Sequence, residues 1–307
     1  MIARRMFLVC GLVAAATTLI VAPATSQETP QHKIKAVATF SILGDLVRNV
    51  GGDRLDVTTL VGPNGDAHVY SLTPGDAKKL AAANIVVING LGLEGWMTRL
   101  AAASGGKAPT VIATKGVTPR RMEDEERPGH TVIDPHAWQS ITDAKIYVAN
   151  IRDGLDAIDP GGKAIYDANA ATYAAKLDEL EKDVKAAIAS IPVDRRKIIT
   201  THDAFGYFGV AYGMAFIAPE GVSSEAEPSA KDIARIITQI RKQKIPAVFL
   251  ENISDPRLIE RIARETGAMI GGTLYSDALS EPDGPAATYI DMMRHNVHEL
   301  TKALVGS

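Results

Sequence analysis

The sequence predicts an α/β protein made of two copies of one unit, joined by a single long, rigid helix. Three observations carry that prediction. The first is the stretch from Gly161 to Ile191, where Tyr173, Leu177, Leu180, Val184, Ile188 and Ile191 recur at steps of three and four, the apolar stripe of one helix. Asp178, Glu179, Glu181, Lys182, Asp183 and Lys185 fill its other faces, Gly161-Gly162 precede it and Pro192 stops it. At about 1.5 Å per residue such a helix runs for roughly 45 Å. The second is an internal repeat. Lys35 to Phe40 leads into a helical segment over Ser41 to Val50, as Lys197 to Asp203 leads into Ala204 to Tyr212. Ile85 to Asn89 matches Ala247 to Asn252, and both Phe40 and Asn89 find their counterparts, Asp203 and Asn252, 163 positions on. The third is the alternation of strand and helix patterns, which implies parallel sheets with right-handed crossovers. One large sheet with chance internal similarity is the alternative.

In chain order, strands are expected at Ile34–Thr39, Leu55–Val61, Ile85–Asn89 and Thr110–Thr114, with helices at Ser41–Val50, Pro74–Ala83 and Leu93–Ala103. Gly62-Pro63-Asn64-Gly65-Asp66 makes a turn before His68. Ser104-Gly105-Gly106-Lys107 lacks the strand and spacing of a phosphate loop and reads as a helix end. Residues 118–135 show no periodicity, carry the acidic run Glu123 to Glu126, and read as a mobile surface loop. A helix over Thr142–Ile158 precedes the long one. The second half then offers strands at Lys197–Thr201, Met214–Ala218, Ala247–Asn252 and Met269–Tyr275, with helices at Ala230–Lys244, Pro256–Thr266 and Ala286–Leu304. The expected division is a signal peptide over 1–26, a first lobe over 27–160, the linking helix over 161–191 and a second lobe over 192–307.

The N-terminus specifies the compartment. Arg4-Arg5 precede an apolar run from Met6 to Val21, followed by small residues around Ala22 to Ser26, the pattern of a cleaved export signal. The paired arginines faintly resemble a twin-arginine signal. The single cysteine, Cys10, lies within this run after Val9, a poor fit to a lipoprotein cleavage site. The mature chain then has no thiol, and any metal site must use His, Asp or Glu. A formal net charge of −3 gives no reason to expect nucleic acid or an anionic membrane as partner.

Of seven histidines, His68, His136 and His202 share one placement, just beyond a strand or at a loop-to-helix junction, where α/β sheets present side chains to ligands. Asp277, after Leu274-Tyr275-Ser276, has the same placement. Two of the four come from each half, so they can converge between the lobes as three imidazoles and a carboxylate, a complete tetrahedral set for zinc. Taken singly each is weak: a histidine at a strand end is more often a surface or capping residue, and Asp277 could cap a helix from Ala278. His295 and His298, three apart on one helix among Arg294, Asn296 and Glu299, read as a solvated face, and His32 lies in the tail after the signal.

At these residues the chain resembles a known family. Asp134-Pro135-His136-Ala137-Trp138, Thr201-His202-Asp203-Ala204-Phe205-Gly206-Tyr207-Phe208 and Tyr275-Ser276-Asp277-Ala278-Leu279 are similar to the hallmark segments of cluster A-I solute-binding proteins, which serve bacterial zinc and manganese ABC importers. The resemblance spans essentially the whole mature chain. It implies two (β/α)4-like lobes joined by a rigid backbone helix, a metal held between them by His68, His136, His202 and Asp277, a periplasmic location and no enzymatic activity. It also implies an ABC permease as partner, with a periplasmic metallochaperone as a candidate zinc donor and a monomeric state. Manganese-binding relatives tend to carry Glu at the third ligand position, where this chain has His202, so the zinc type is expected and the manganese type is the alternative. Many zinc members carry a long His-rich loop; here the equivalent stretch is short and acidic and holds only His130. A zinc hydrolase would also use three histidines, but Asp277 fills the position its water needs and no H-E-x-x-H run occurs.

Overall fold

In chain order the strands and helices begin with β1 (Ile34–Phe40), α1 (Ser41–Gly51), β2 (Leu55–Val61), α2 (Pro74–Ala81), β3 (Ile85–Ile88), α3 (Met97–Ser104) and β4 (Thr110–Ile112). There follow β5 (Arg121–Glu123), β6 (Thr131–Ile133), α4 (Ile141–Ile158) and α5 (Lys163–Ala189). The second half contributes β7 (Lys197–Ile199), α6 (Gly206–Tyr212), β8 (Ala215–Ile217), α7 (Ala230–Gln243), β9 (Ala247–Glu251), α8 (Arg257–Thr266), β10 (Met269–Leu274) and α9 (Tyr289–Val305). This is a computed structural model, and it describes residues 33–123, 129–224 and 228–305. The expected export signal with Cys10, the tail with His32 and most of the acidic run at 123–126 lie outside the described residues.

Two separate four-stranded parallel sheets replace the single-sheet alternative. Their strand orders are β2-β1-β3-β4 and β8-β7-β9-β10. Numbered within each half, both orders are second, first, third, fourth, so the repeat seen in the sequence is also a repeat of topology. The central strand β1 is buried along five consecutive residues, Ala36 to Phe40, because helices cover both faces of a parallel sheet.

The helix α5 carries the predicted stripe inward: Tyr166, Ala170, Tyr173, Leu177, Leu180, Val184 and Ile188 are all buried. It starts at Lys163 rather than Gly161 because Pro160-Gly161-Gly162 form a tight 3-10 turn against Asp159. Residues of α5 belong to one continuous apolar core that also includes Leu43 of α1, Ile151 of α4, Phe208 of α6 and Leu300 of α9. A smaller cluster of Ile199, Ile236, Val248, Ile259 and Ile262 fills the far side of the second sheet.

Several boundaries moved for identifiable reasons. The helix expected from Leu93 starts at Met97, because Gly90, Leu91 and Gly92 have positive φ and Glu94 turns inward. Its carboxylate accepts from Thr39 Oγ1, Asn89 N and Gly90 N, satisfying the end of β3. The last helix starts at Tyr289 instead of Ala286, with Thr288 Oγ1 accepting from Asp291 N. The structureless loop expected at 118–135 contains an antiparallel hairpin, β5 with β6. Strands of three residues are too short for alternation to reveal.

The two halves are joined by buried polar contacts as well as by α5. Trp138 Nε1 and Gln139 Nε2 donate to Ser276 O at 2.9 and 2.7 Å, and Tyr289 O–H donates to Trp138 O at 2.7 Å. Leu279 N donates to Ser41 Oγ at 2.9 Å, and Tyr289 N to Asp45 Oδ2 at 3.0 Å. Because α5 underlies this junction, truncating its fully buried Leu180 to Ala is expected to cost about 2–5 kcal/mol. At about 2–4 °C per kcal/mol for chains near this size, the melting temperature should fall by several degrees. Glu179→Ala, exposed beside it, is the control and should leave the temperature unchanged.

Candidate metal centre

Four loops that follow strands or precede a helical turn deliver the side chains. His68 lies past β2, beyond a turn in which Gly65 N donates to Gly62 O and Asn64 takes a left-handed φ of 53°. Asp66 Oδ1 accepts from His68 N at 2.8 Å, and Trp96 Nε1 pins the loop by donating to Ala67 O. His136 opens a short 3-10 turn over Ala137–Gln139. Asp134 Oδ1 accepts from His136 N at 3.0 Å and lies 2.8 Å from its Nδ1. His202 follows β7, where Glu251, the last residue of β9, takes Thr201 N and His202 N on Oε1 at 2.7 and 3.0 Å. Glu251 Oε2 lies 2.6 Å from His202 Nδ1. Asp277 follows β10, fixed by the bonds to Ser276 O; it caps no helix, since residues 278–288 are irregular.

These loops bring His68, His136, His202 and Asp277 to one point. One ligand-type atom from each lies within 4.8 Å of all the others, a grouping with no second example among the described residues. His68 Nε2 is 3.1 Å from His136 Nε2 and 3.1 Å from Asp277 Oδ2. His202 Nε2 is 3.2 Å from Asp277 Oδ2, and His136 Nε2 is 3.5 Å from Asp277 Oδ1. An ion with four bonds of about 2.0–2.1 Å spaces its ligand atoms about 3.3 Å apart, which matches these separations. Both oxygens of Asp277 and both ring nitrogens of His202 are buried without an aligned hydrogen-bond partner. The close contacts of His202 are therefore ion-pair distances rather than oriented hydrogen bonds. Such groups are rare in folded proteins and mark a place for something else to bind.

The electrostatics follow from alternation of charge in a dry space. Burial alone would lower the His136 imidazole, but Asp277 and Asp134 outweigh it and hold the group at about 9. His202 is likewise raised despite burial, by Glu251 and Asp277. Burial pushes Asp277 up, yet His136 and His202 keep it well below the ordinary carboxylate range. Asp203, beside the site, is pushed up to about 6 by burial.

Comparison with known proteins gives this geometry a context. Residues 36–303 match the family model described as the periplasmic component A of a zinc-uptake complex. The manganese-binding lipoprotein MntA of Halalkalibacterium halodurans is 34% identical over 88% of both chains. The iron-binding protein YfeA of Yersinia pestis is 32% identical over 94% of this chain and 93% of its own. Among solved structures, the periplasmic zinc-binding protein TroA of Treponema pallidum superposes with a TM-score of 0.83 at 30% identity, covering 89% of this chain and 99% of that one. The manganese-bound periplasmic metal-binding protein of Candidatus Liberibacter asiaticus gives 0.79 at 31% identity, over 89% and 100%. The chain belongs to the zinc-uptake component A family. It is thus a metal-binding, substrate-binding protein of the ABC-importer type, with the two-lobe fold of that family.

The other described histidines, His130, His295 and His298, are not part of this group. His298 is solvent-exposed, with 70% of its side chain accessible. The solvated-face reading fails for its neighbours: His295 Nε2 meets Thr273 O at 3.0 Å with its ring against Tyr275, and Asn296 is buried, bonded to both main-chain groups of Tyr275. His130 is exposed on the hairpin side. Sequence reasoning missed the carboxylates behind the imidazoles. Asp134 stood in view two positions before His136, the spacing of a side chain that folds back onto main-chain N–H. Glu251, 49 positions from His202, left no local signal.

A pH dependence follows for the protein stripped of metal. His136 is held near 9 when folded against 6.5 in an unfolded chain, so its contribution to stability is whole below about pH 6.5 and is lost as pH rises toward 9. His202 acts in the same sense. Asp277, depressed, contributes above its unfolded value near 3.8 and loses that contribution as pH falls. The melting temperature in excess chelator should hold between about pH 4.5 and 6.5 and drop from 6.5 to 9. A rise over that upper window would show the imidazoles to be neutral in the metal-free fold.

Proposed function

We propose that the protein captures Zn2+ in the cleft between its lobes, at His68, His136, His202 and Asp277, and delivers it to an ABC-type membrane importer. In this reading residues 1–26 are removed on export to the periplasm, and the lobes are 27–160 and 192–307 on either side of the helix 161–191. The protein works as a monomer, receives zinc directly or from a periplasmic metallochaperone, and performs no catalysis, in keeping with a family of solute-binding proteins. No helix among the described residues is long and apolar enough to cross a membrane. Several relatives are named lipoproteins, whereas Cys10 here follows Val9 in a poor lipidation context.

The observation that carries the zinc reading is the donor set: three imidazoles and one carboxylate, all turned inward. The separations suit any first-row divalent ion, so the donors must discriminate. Zinc accepts nitrogen in tetrahedral geometry, while harder manganese gains from more oxygen ligands. Asp134 and Glu251 behind His136 and His202 fix their Nε2 atoms as the ligating ones and raise their basicity. Manganese is the second reading, on one observation: both Asp277 oxygens lack partners, and bidentate binding would make the site five-coordinate.

Two experiments test this. Calorimetric titration of metal-free protein should give one zinc per chain with release of protons, since imidazoles must be deprotonated to bind. His136→Ala should weaken binding well beyond tenfold, because even residues behind the ligands are worth about 10- to 100-fold. His298→Ala should leave affinity unchanged, and equal affinities for the two variants would refute the assignment. The second experiment replaces the third ligand. His202→Glu exchanges a borderline-soft nitrogen for a hard, potentially bidentate carboxylate, so the ratio of zinc to manganese affinity should fall in competition titrations, although zinc can remain the tighter ion. An unchanged or higher ratio would mean that cleft geometry sets selectivity.

A further inference from the structure

Each of the three imidazoles has its main-chain N–H held by a carboxylate: Asp66 for His68, Asp134 for His136 and Glu251 for His202. Asp134 and Glu251 also lie against ring Nδ1 of the histidine they hold, at 2.8 and 2.6 Å. Asp66 is used differently. Its Oδ2 accepts from Ser224 Oγ, on the opposite lobe. The same turn is tied across twice more: Asn64 N donates to Leu279 O at 2.9 Å, and Asn252 Nδ2 donates to Asn64 Oδ1 at 3.1 Å. Asn252 Nδ2 also reaches Ala278 O at 3.2 Å. The turn before His68 thus leans on residues adjoining Asp277 and Glu251. His68 is also the least buried of the four, with 6% of its side chain accessible and none of the others.

We propose that this cross-lobe tether, Asp66 with Ser224 and Asn64 with Asn252, sets the rate at which metal leaves the cleft, His68 being the ligand that lets go first. The inference rests on the metal site proposed above. For His136 or His202 to swing away, the contact between its ring Nδ1 and a buried carboxylate must break in a water-free space, which is slow because a buried carboxylate left without its partner is costly. Among the described residues no carboxylate is paired in this way with the Nδ1 of His68, whose ring contacts are made by Nε2. Its departure requires only that the turn move off the second lobe, breaking partly exposed hydrogen bonds. The tether is therefore the restraint on that route. Asp66, Ser224, Asn64 and Asn252 are positioning residues that do not themselves touch the ion.

The test is zinc release from the loaded full-length protein, followed by capture in excess of a coloured chelator. Ser224→Ala removes the hydroxyl alone and should speed release about tenfold, the worth of a hydrogen bond to a charged group at the weak end of its range. Asn64→Gly keeps the left-handed backbone and the bond to Leu279 O, removes the side chain whose Oδ1 accepts from Asn252, and should speed release about threefold. Ser224→Thr retains the hydroxyl and should restore the wild-type rate. Unchanged release in both Ser224→Ala and Asn64→Gly would overturn the tether, as would Ser224→Thr releasing as fast as Ser224→Ala. Wild-type protein that takes up no zinc would instead overturn the underlying site, so the two failures are distinguishable.

Discussion

A carboxylate with no exposure to water, surrounded by three imidazoles, is the constraint on which the rest of the structure depends. Burying Asp277 costs free energy unless opposite charge stands beside it. The opposite charge comes from residues far apart in the chain, so the two halves must be held in one relation to satisfy it. That is the task of α5, whose buried stripe is shared by elements of both halves, and of the bonds from Trp138 and Gln139 to Ser276 O. The main chain just before Asp277 belongs to the second half, but its acceptor is satisfied by the first.

Around this centre the charges alternate outward. Arg120 Nη1 holds Asp134 at 2.8 Å, Asp134 holds His136, His136 and His202 flank Asp277, and Glu251 backs His202. Each member is stabilised by the next, so the imidazoles proposed to take the metal ion are already fixed from behind. Arg120 and Asp134 also anchor the β5–β6 hairpin to the second half, through Tyr207, whose hydroxyl accepts from Arg120 N at 2.9 Å. The hairpin is thereby part of the support for His136.

The repeat is more symmetric in its scaffold than in its site. Both sheets share one strand order, and in both a residue near or just past the end of the first strand is backed by a buried glutamate: Thr39 by Glu94, and His202, 163 positions later, by Glu251. In the first half that position carries a hydroxyl with its bonds satisfied. The imidazoles of that half come instead from the loop after β2 and from the turn before α4, which can reach over the cleft.

What the sequence determined by itself is what local periodicity and residue chemistry can encode. The stripe on α5 follows from steps of three and four, the two sheets follow from strand runs repeated at a constant offset, and the candidate donor types follow from a sequence whose single cysteine, Cys10, lies in the expected export signal. Even the four clustered side chains were legible, three because residues just past parallel strands gather at one end of the sheets and His136 from its place at a loop-to-helix junction. Only the tertiary structure decided which groups stand behind them. Glu251 meets His202 across two strands, Asp66 meets Ser224 across two lobes, and the short strands β5 and β6 exist only as a pair. The same holds on α9, where His298 faces solvent while Asn296, two positions away, is buried against Tyr275. Those outcomes depend on which surfaces meet after the chain collapses, and distance along the sequence carries no record of that.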